Sequence, residues 1–136
     1  MMLRTALLVL VATFAVADST ADVLNVFTSA AEGLINDDAA SFLDHFDSNM
    51  PGYATLQDNV TGLLATYNVG ATIEEITDQG DDSKRTVELD WLLILTQKGA
   101  INSPQQTRRQ VVKCTVERRG KQWKITALEP VEFFKF

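Results

Sequence analysis

The hydrophobic period of this chain changes at Gly70. Before it, apolar residues recur every third or fourth position; after it, they alternate with polar ones. Helices first and strands afterwards exclude an alternating βαβ fold. They predict an α+β domain in which three helices pack on one face of a curved antiparallel sheet of four to five strands. The first helix carries the stripe Val23, Phe27, Ala30 and Leu34, with Leu24, Ala31 and Ile35 beside it, and opens on the capping-box pattern Ser19-Thr20-Ala21-Asp22. Asn36-Asp37-Asp38 breaks this run and caps a second helix with Ala39, Phe42, Leu43 and Phe46 on one side. Pro51 suits the first turn of a third helix, whose stripe is Tyr53, Leu56, Val60, Leu63, Leu64 and Tyr67, with Asn68 to Gly70 closing it.

The strands follow from alternation. Thr72 to Thr77 is β-rich and Gly80-Asp81-Asp82 is a turn. Val87, Leu89, Trp91, Leu93 and Leu95 form the inward side of a second strand. Val112, Cys114 and Val116 do so in a third, and Trp123, Ile125 and Ala127 in a fourth. Val131 to Phe136, after Pro130, reads as a short terminal strand. The outward side carries Glu88, Asp90, Lys113, Glu117 and Lys124, interrupted by apolar Leu92 and Ile94. An apolar patch on an outer sheet face predicts a homodimer through Leu92 and Ile94.

The first 17 residues read as a secretory signal: Arg4, an apolar run from Ala6 to Val16, and small residues at both ends of Ala15-Val16-Ala17. That run falls short of the roughly 20 residues a membrane span needs. The expected organisation is therefore residues 1–17 as signal peptide and 18–136 as one exported domain, periplasmic or extracellular, with no span after cleavage. The formal charge of −6 argues against nucleic acid as a partner. One cysteine and one histidine give no disulfide framework, and neither a metal nor another cofactor is expected.

Three stretches, Asp37-Asp38-Ala39-Ala40-Ser41-Phe42-Leu43, Val87-Glu88-Leu89-Asp90-Trp91 and Gln122-Trp123-Lys124-Ile125, sit in an order that resembles the NTF2-like (SnoaL-like) superfamily. The resemblance covers residues 20 to 136. It implies a cone-shaped domain with a pocket between helices and sheet, in a superfamily that holds isomerases, dehydratases, transport factors and secreted domains without known activity. One departure matters. Only Ser48 to Gly52 separates the second and third helical patterns, which leaves no room for the strand or hairpin near which steroid isomerases of this fold carry their catalytic Asp. No catalytic residue is carried over.

The residues themselves offer little proton chemistry. His45 flanks the apolar side of the second helix, and Asp44 and Asp47 point about 100° and 200° away from it. Asp37 and Asp38 read as a helix cap, and Asp78, Asp81 and Asp82 as a solvated turn without calcium-loop spacing. Asp90 and Trp91 fall on opposite faces, and Cys114 is an inert core thiol. Asn59-Val60-Thr61 is a glycosylation sequon placed within a helix. Candidate ligand contacts are Trp91, Arg108, Gln110, Tyr53 and His45. Arg108 and Gln110 continue the inward side of the third strand as a polar rim, able to meet an anionic group. The expectation is a non-catalytic exported domain that binds a small apolar or amphipathic ligand or acts as a dimeric scaffold. The alternative is an isomerase or dehydratase that uses a pocket residue such as His45.

Overall fold

The computed structural model describes the backbone of residues 2–136 and the side chains of residues 19–136; the expected export segment, 1–17, lies outside the latter. The elements are α1 (Met2–Ile35), α2 (Ala39–Leu43), α3 (Tyr53–Thr66), β1 (Tyr67–Gly80), β2 (Lys84–Gln97), β3 (Gln106–Arg119), β4 (Gln122–Glu129) and a 3₁₀ turn at Val131–Phe134. The sheet is antiparallel throughout, in the order β1-β2-β3-β4. Three helices on one face of a curved four-stranded antiparallel sheet make the α+β cone that the change of period implies. Among the described residues no helix is long and apolar enough to cross a membrane.

In α1 the predicted stripe is the buried one: Val23, Phe27, Ala30, Ala31 and Leu34. The backbone is already helical where it reaches Ser19, so the capping-box pattern does not start a helix there. Asp38 does cap α2, its side chain accepting from Ser41 N at 3.0 Å. Gly33 permits the close α1–α2 approach, because a Cβ there would lie 2.7 Å from Phe42 N. The second helix stops at Leu43, short of the predicted Phe46. Phe46 instead forms an isolated parallel bridge with Ile125, with Ile125 N donating to His45 O at 2.9 Å and Asp47 N to Ile125 O at 2.8 Å. Backbone bonds to the edge of β4 replace a further helical turn and cover part of that edge.

The helix–strand boundary also moves. Tyr67 to Gly70 was predicted to finish a helix, yet β1 begins at Tyr67, opposite Gln97. Val69, Ala71 and Ile73 then face the same side as Leu95, Leu93 and Trp91, so strand pairing overrides the loop-like Asn-Val-Gly sequence. In β2 and β3 the predicted inward residues are all fully buried, and Trp91 and Trp123 join one core with the helices. The fourth strand differs at one residue. A register shift between Thr115 and Val116 sets Ala127 opposite Thr115 but Ile125 opposite Val116. The extra residue flips the alternation, so Leu128 takes the inward place expected for Ala127.

The tail is not a strand. Pro130 has no N–H to continue a ladder, and the chain turns inward behind it. Phe133 and Phe134 are buried against Trp91 at centroid distances of 6.1 and 5.3 Å, and Phe134 meets Phe42 at 5.4 Å. The space between helices and sheet is therefore filled by aromatic rings from α2, β2 and the tail.

Candidate functional site

The five sequence-predicted contact residues separate into two groups. Trp91 and Arg108 lie around the tail. Trp91 is fully buried, and its indole N–H has no acceptor. Arg108, opposite Leu93 in the ladder, donates from Nη1 to the carbonyl oxygens of Phe133 at 3.0 Å and Lys135 at 2.7 Å, with a longer contact to Glu132 at 3.3 Å. Its guanidinium also stacks 3.7 Å over the Phe136 ring. Gln110 is Trp91's direct partner on β3 but is exposed, because β4 ends opposite Lys113 and leaves this part of β3 as a free edge.

His45 and Tyr53 line two neighbouring clefts beside the β3–β4 turn and the loop after α2. A cleft of about 670 Å³ is walled by Tyr53, Asp44, Asp47, Arg119 and Lys124. A second, of about 340 Å³, is walled by Asp22, Asn25, Asp44, His45, Trp123 and Lys124. Asp44 and Lys124 form the rib between them, with Lys124 Nζ donating to Asp44 O. Lys124 was expected on the outer face, but β4 is an edge strand and its side chain reaches around to the α2 loop. The Arg119–Asp47 ion pair, at 3.1 Å, lies in the wall of the larger cleft.

His45 is half-buried, and burial lowers its pKa from the ordinary 6.5, helped by Lys124 and opposed by Asp44. A depressed folded value means the unfolded chain binds the proton more readily. This histidine's contribution to stability is then complete above 6.5 and lost as pH falls through the folded value. His45→Gln is expected to flatten that acid-side loss, as read by denaturant midpoints from pH 7 downward. An unchanged slope would contradict the burial assigned to His45.

Sequence reasoning missed one charged group on the inner face. Glu75 stands inward opposite Leu89, and a bulge between Glu75 and Thr77 brings Asp78 inward as well, opposite Val87 and on the same side as Arg85. Asp78 is not the solvated turn residue expected. Its side chain and that of Arg85 are each 5% exposed and paired at 2.7 Å, with Arg85 Nη1 donating to Asp81 O at 3.0 Å. Asp78 Oδ2 is buried without a partner. Burial and the nearby Asp78 raise the Glu75 pKa. Arg85 stands in phase with Val87 to Leu95 and was legible; the bulge that aligns Asp78 with it was not. Arg85 is six residues from Trp91 along β2, about 20 Å at strand rise, whereas Asp78 pairs with Val87 and Glu75 pairs with Leu89, one inward position from Trp91. Cys114 is fully buried, and burial drives its thiol pKa upward. Among the described residues, no group of three or more His, Cys, Asp or Glu side chains could hold a metal ion.

No family model matches the sequence, and no curated protein matches it. Solved structures do match its fold. A protein from Novosphingobium aromaticivorans, proposed to be a scytalone dehydratase, superimposes with a TM-score of 0.76 at 12% identity over 85% of each chain. A proposed dehydratase of the NTF2-like family from Streptomyces avermitilis gives 0.70 at 9% identity over 82% of this chain and 94% of that one. The hexachlorocyclohexane dehydrochlorinase LinA type 2 gives 0.67 at 14% identity over 85% and 86%. The chain has the NTF2-like fold, one that supports ligand binding or catalysis.

Proposed function

We propose that the protein is an exported, non-catalytic domain that binds a small apolar or amphipathic molecule. The observation that carries this reading is the chemistry around Trp91. Its neighbours are aromatic rings, Arg108 supplies one cation at the rim, and the Asp78–Arg85 ion pair lies further along the strand, Arg85 about 20 Å away, with Glu75 between them opposite Leu89. General acid–base catalysis needs its groups within hydrogen-bond reach of one reacting atom; His45 lines a side cleft, Arg108 is bonded to the tail carbonyls, and the charged neighbours of Glu75 are Asp78 and Arg85. Export rests on the Ala15-Val16-Ala17 pattern. The test uses protein recovered outside the cytoplasm of its own host, which on this reading begins at Asp18. Native mass spectrometry should find a stoichiometric small-molecule mass that denaturation releases. A bare chain that also converts a hydroxylated substrate to a dehydrated product would favour the enzymatic alternative through His45.

The outer sheet face supports a second element of the reading, a homodimer. Leu92 and Ile94 remain half-buried there, Val111 is 48% exposed, and Glu74, Asp90 and Arg109 lie beside them. Asp90 and Arg109 form a forked ion pair, Nε to Oδ1 at 2.9 Å and Nη2 to Oδ2 at 2.5 Å. A face holding both signs around an apolar centre is complementary to itself across a two-fold axis. Ile94→Glu is expected to shift the solution mass from dimer to monomer by light scattering. A wild-type chain that is monomeric at high micromolar concentration would contradict the dimer.

A further inference from the structure

We propose that the C-terminal segment, residues 130–136, is a displaceable plug that occupies the binding cavity and is gripped there by Arg108. This rests on the ligand-binding reading above and adds what the cavity holds at rest and how it opens.

Backbone bonding sets the segment apart. Its own backbone bonds are internal, Phe133 N to Pro130 O at 3.2 Å and Lys135 N to Glu132 O at 2.9 Å. Its hydrogen bonds to the rest of the fold, among the described residues, come from two side chains. Arg108 donates to the tail carbonyls and Asn59 Nδ2 donates to Val131 O at 3.1 Å. No ladder bonds hold it, because β4 ends at Glu129. The segment nevertheless supplies two of the rings packed on Trp91. Local opening is easiest where few backbone bonds tie a segment down. Detachment of residues 130–136 would leave the sheet and the three helices intact.

The space the plug would vacate has a defined chemistry. Phe133 and Phe134 would leave room for a molecule of about two aromatic rings. The Trp91 indole N–H, buried and without an acceptor, would gain one if the ligand carried an oxygen near the rings. Arg108, released from the tail carbonyls, would meet an anionic group. It lies one inward position along β3 from Gln110, Trp91's direct partner. The ligand class is therefore an anionic two-ring amphiphile. The mouth lies along the free edge of β3, beside exposed Gln110. Asn59, the acceptor residue of the sequon, is already engaged in holding the tail.

Hydrogen exchange on the full chain, followed by mass spectrometry, tests the opening. The two bonded tail amides, Phe133 and Lys135, should exchange at least about tenfold faster than those of Val87 to Leu95. Arg108→Gln should speed the tail by about a further tenfold and leave the sheet unchanged. The anionic two-ring probe 8-anilinonaphthalene-1-sulfonate tests the cavity. A Phe133→Ala/Phe134→Ala chain should bind one molecule about tenfold more tightly than wild type, since no closed state competes. Tail and sheet amides exchanging as one cooperative unit would overturn the plug, and this wild-type measurement decides even if the double variant fails to fold. A co-purifying ligand with a tail that never opens alone would leave the binding reading standing and sink the plug. An opening tail with no probe bound by any of the three chains would sink both.

Discussion

Trp91→Ala is expected to lower the unfolding free energy by about 3–5 kcal/mol. Trp91 is fully buried at the centre of β2, packed edge-on against Phe134 and tilted against Phe133. Removing the indole would leave a cavity that neighbouring elements could fill only by moving the tail, Phe42 or the facing helices. For a single domain whose total stability is typically about 5–15 kcal/mol, this is a large fraction. The measurement is a chemical denaturation series, in which the midpoint should fall with little change in slope. An unchanged midpoint would mean that the inward face of β2 is not the core face.

Arg85→Met is expected to be similarly severe, at about 3–5 kcal/mol, because it strands a carboxylate that is almost wholly enclosed. Asp78 Oδ2 already lacks a partner, and Arg85 Nε is the donor to Oδ1. The paired change Arg85→Met with Asp78→Leu should recover most of the loss, since two apolar side chains of similar reach leave no charge to desolvate. The comparison separates a pair that holds the β1–β2 hairpin from one that only avoids the cost of an unpaired charge. If the single variant melted like wild type, the pair would have to be solvated, and the bulge that carries Asp78 inward would be misplaced.

Much of this fold was legible in the sequence, and the failures share physical causes. Val87 to Leu95 needs no tertiary information to be read as a half-buried strand, and it carries the core with it. The stripe through Val23, Phe27, Ala30 and Leu34 is equally direct. Bulges are a different matter. One extra residue opposite Val116 moved Leu128 inward in place of Ala127, and another beside Ile76 turned Asp78 from a surface position into a buried ion pair. Neither bulge leaves a composition signal. The tail was misread because Val131 to Phe136 is apolar enough for a strand, whereas its fate depends on an arginine 25 residues earlier than Phe133. Arg108 was placed correctly at the rim of the inward face. That its partners would be the chain's own carbonyls was beyond any local pattern. His45 and Tyr53 line side clefts, and neither is among the rings packed on Trp91: α2 ends at Leu43, so His45 follows it in the loop bridged to Ile125.

The central claim is that the ligand site is the aromatic interior under the tail. The two tryptophan indole N–H resonances test it most directly, because Trp91 lies beneath Phe133 and Phe134 while Trp123 walls the His45 cleft. An isotope-labelled chain is titrated with 8-anilinonaphthalene-1-sulfonate and followed by proton–nitrogen correlation spectra. The Trp91 indole signal should move downfield as its N–H gains an acceptor, together with the Arg108 Nε signal and the amides of residues 131–136, while Trp123 stays still. Movement of Trp123 and His45 with Trp91 unchanged would place the ligand in the side cleft and contradict it.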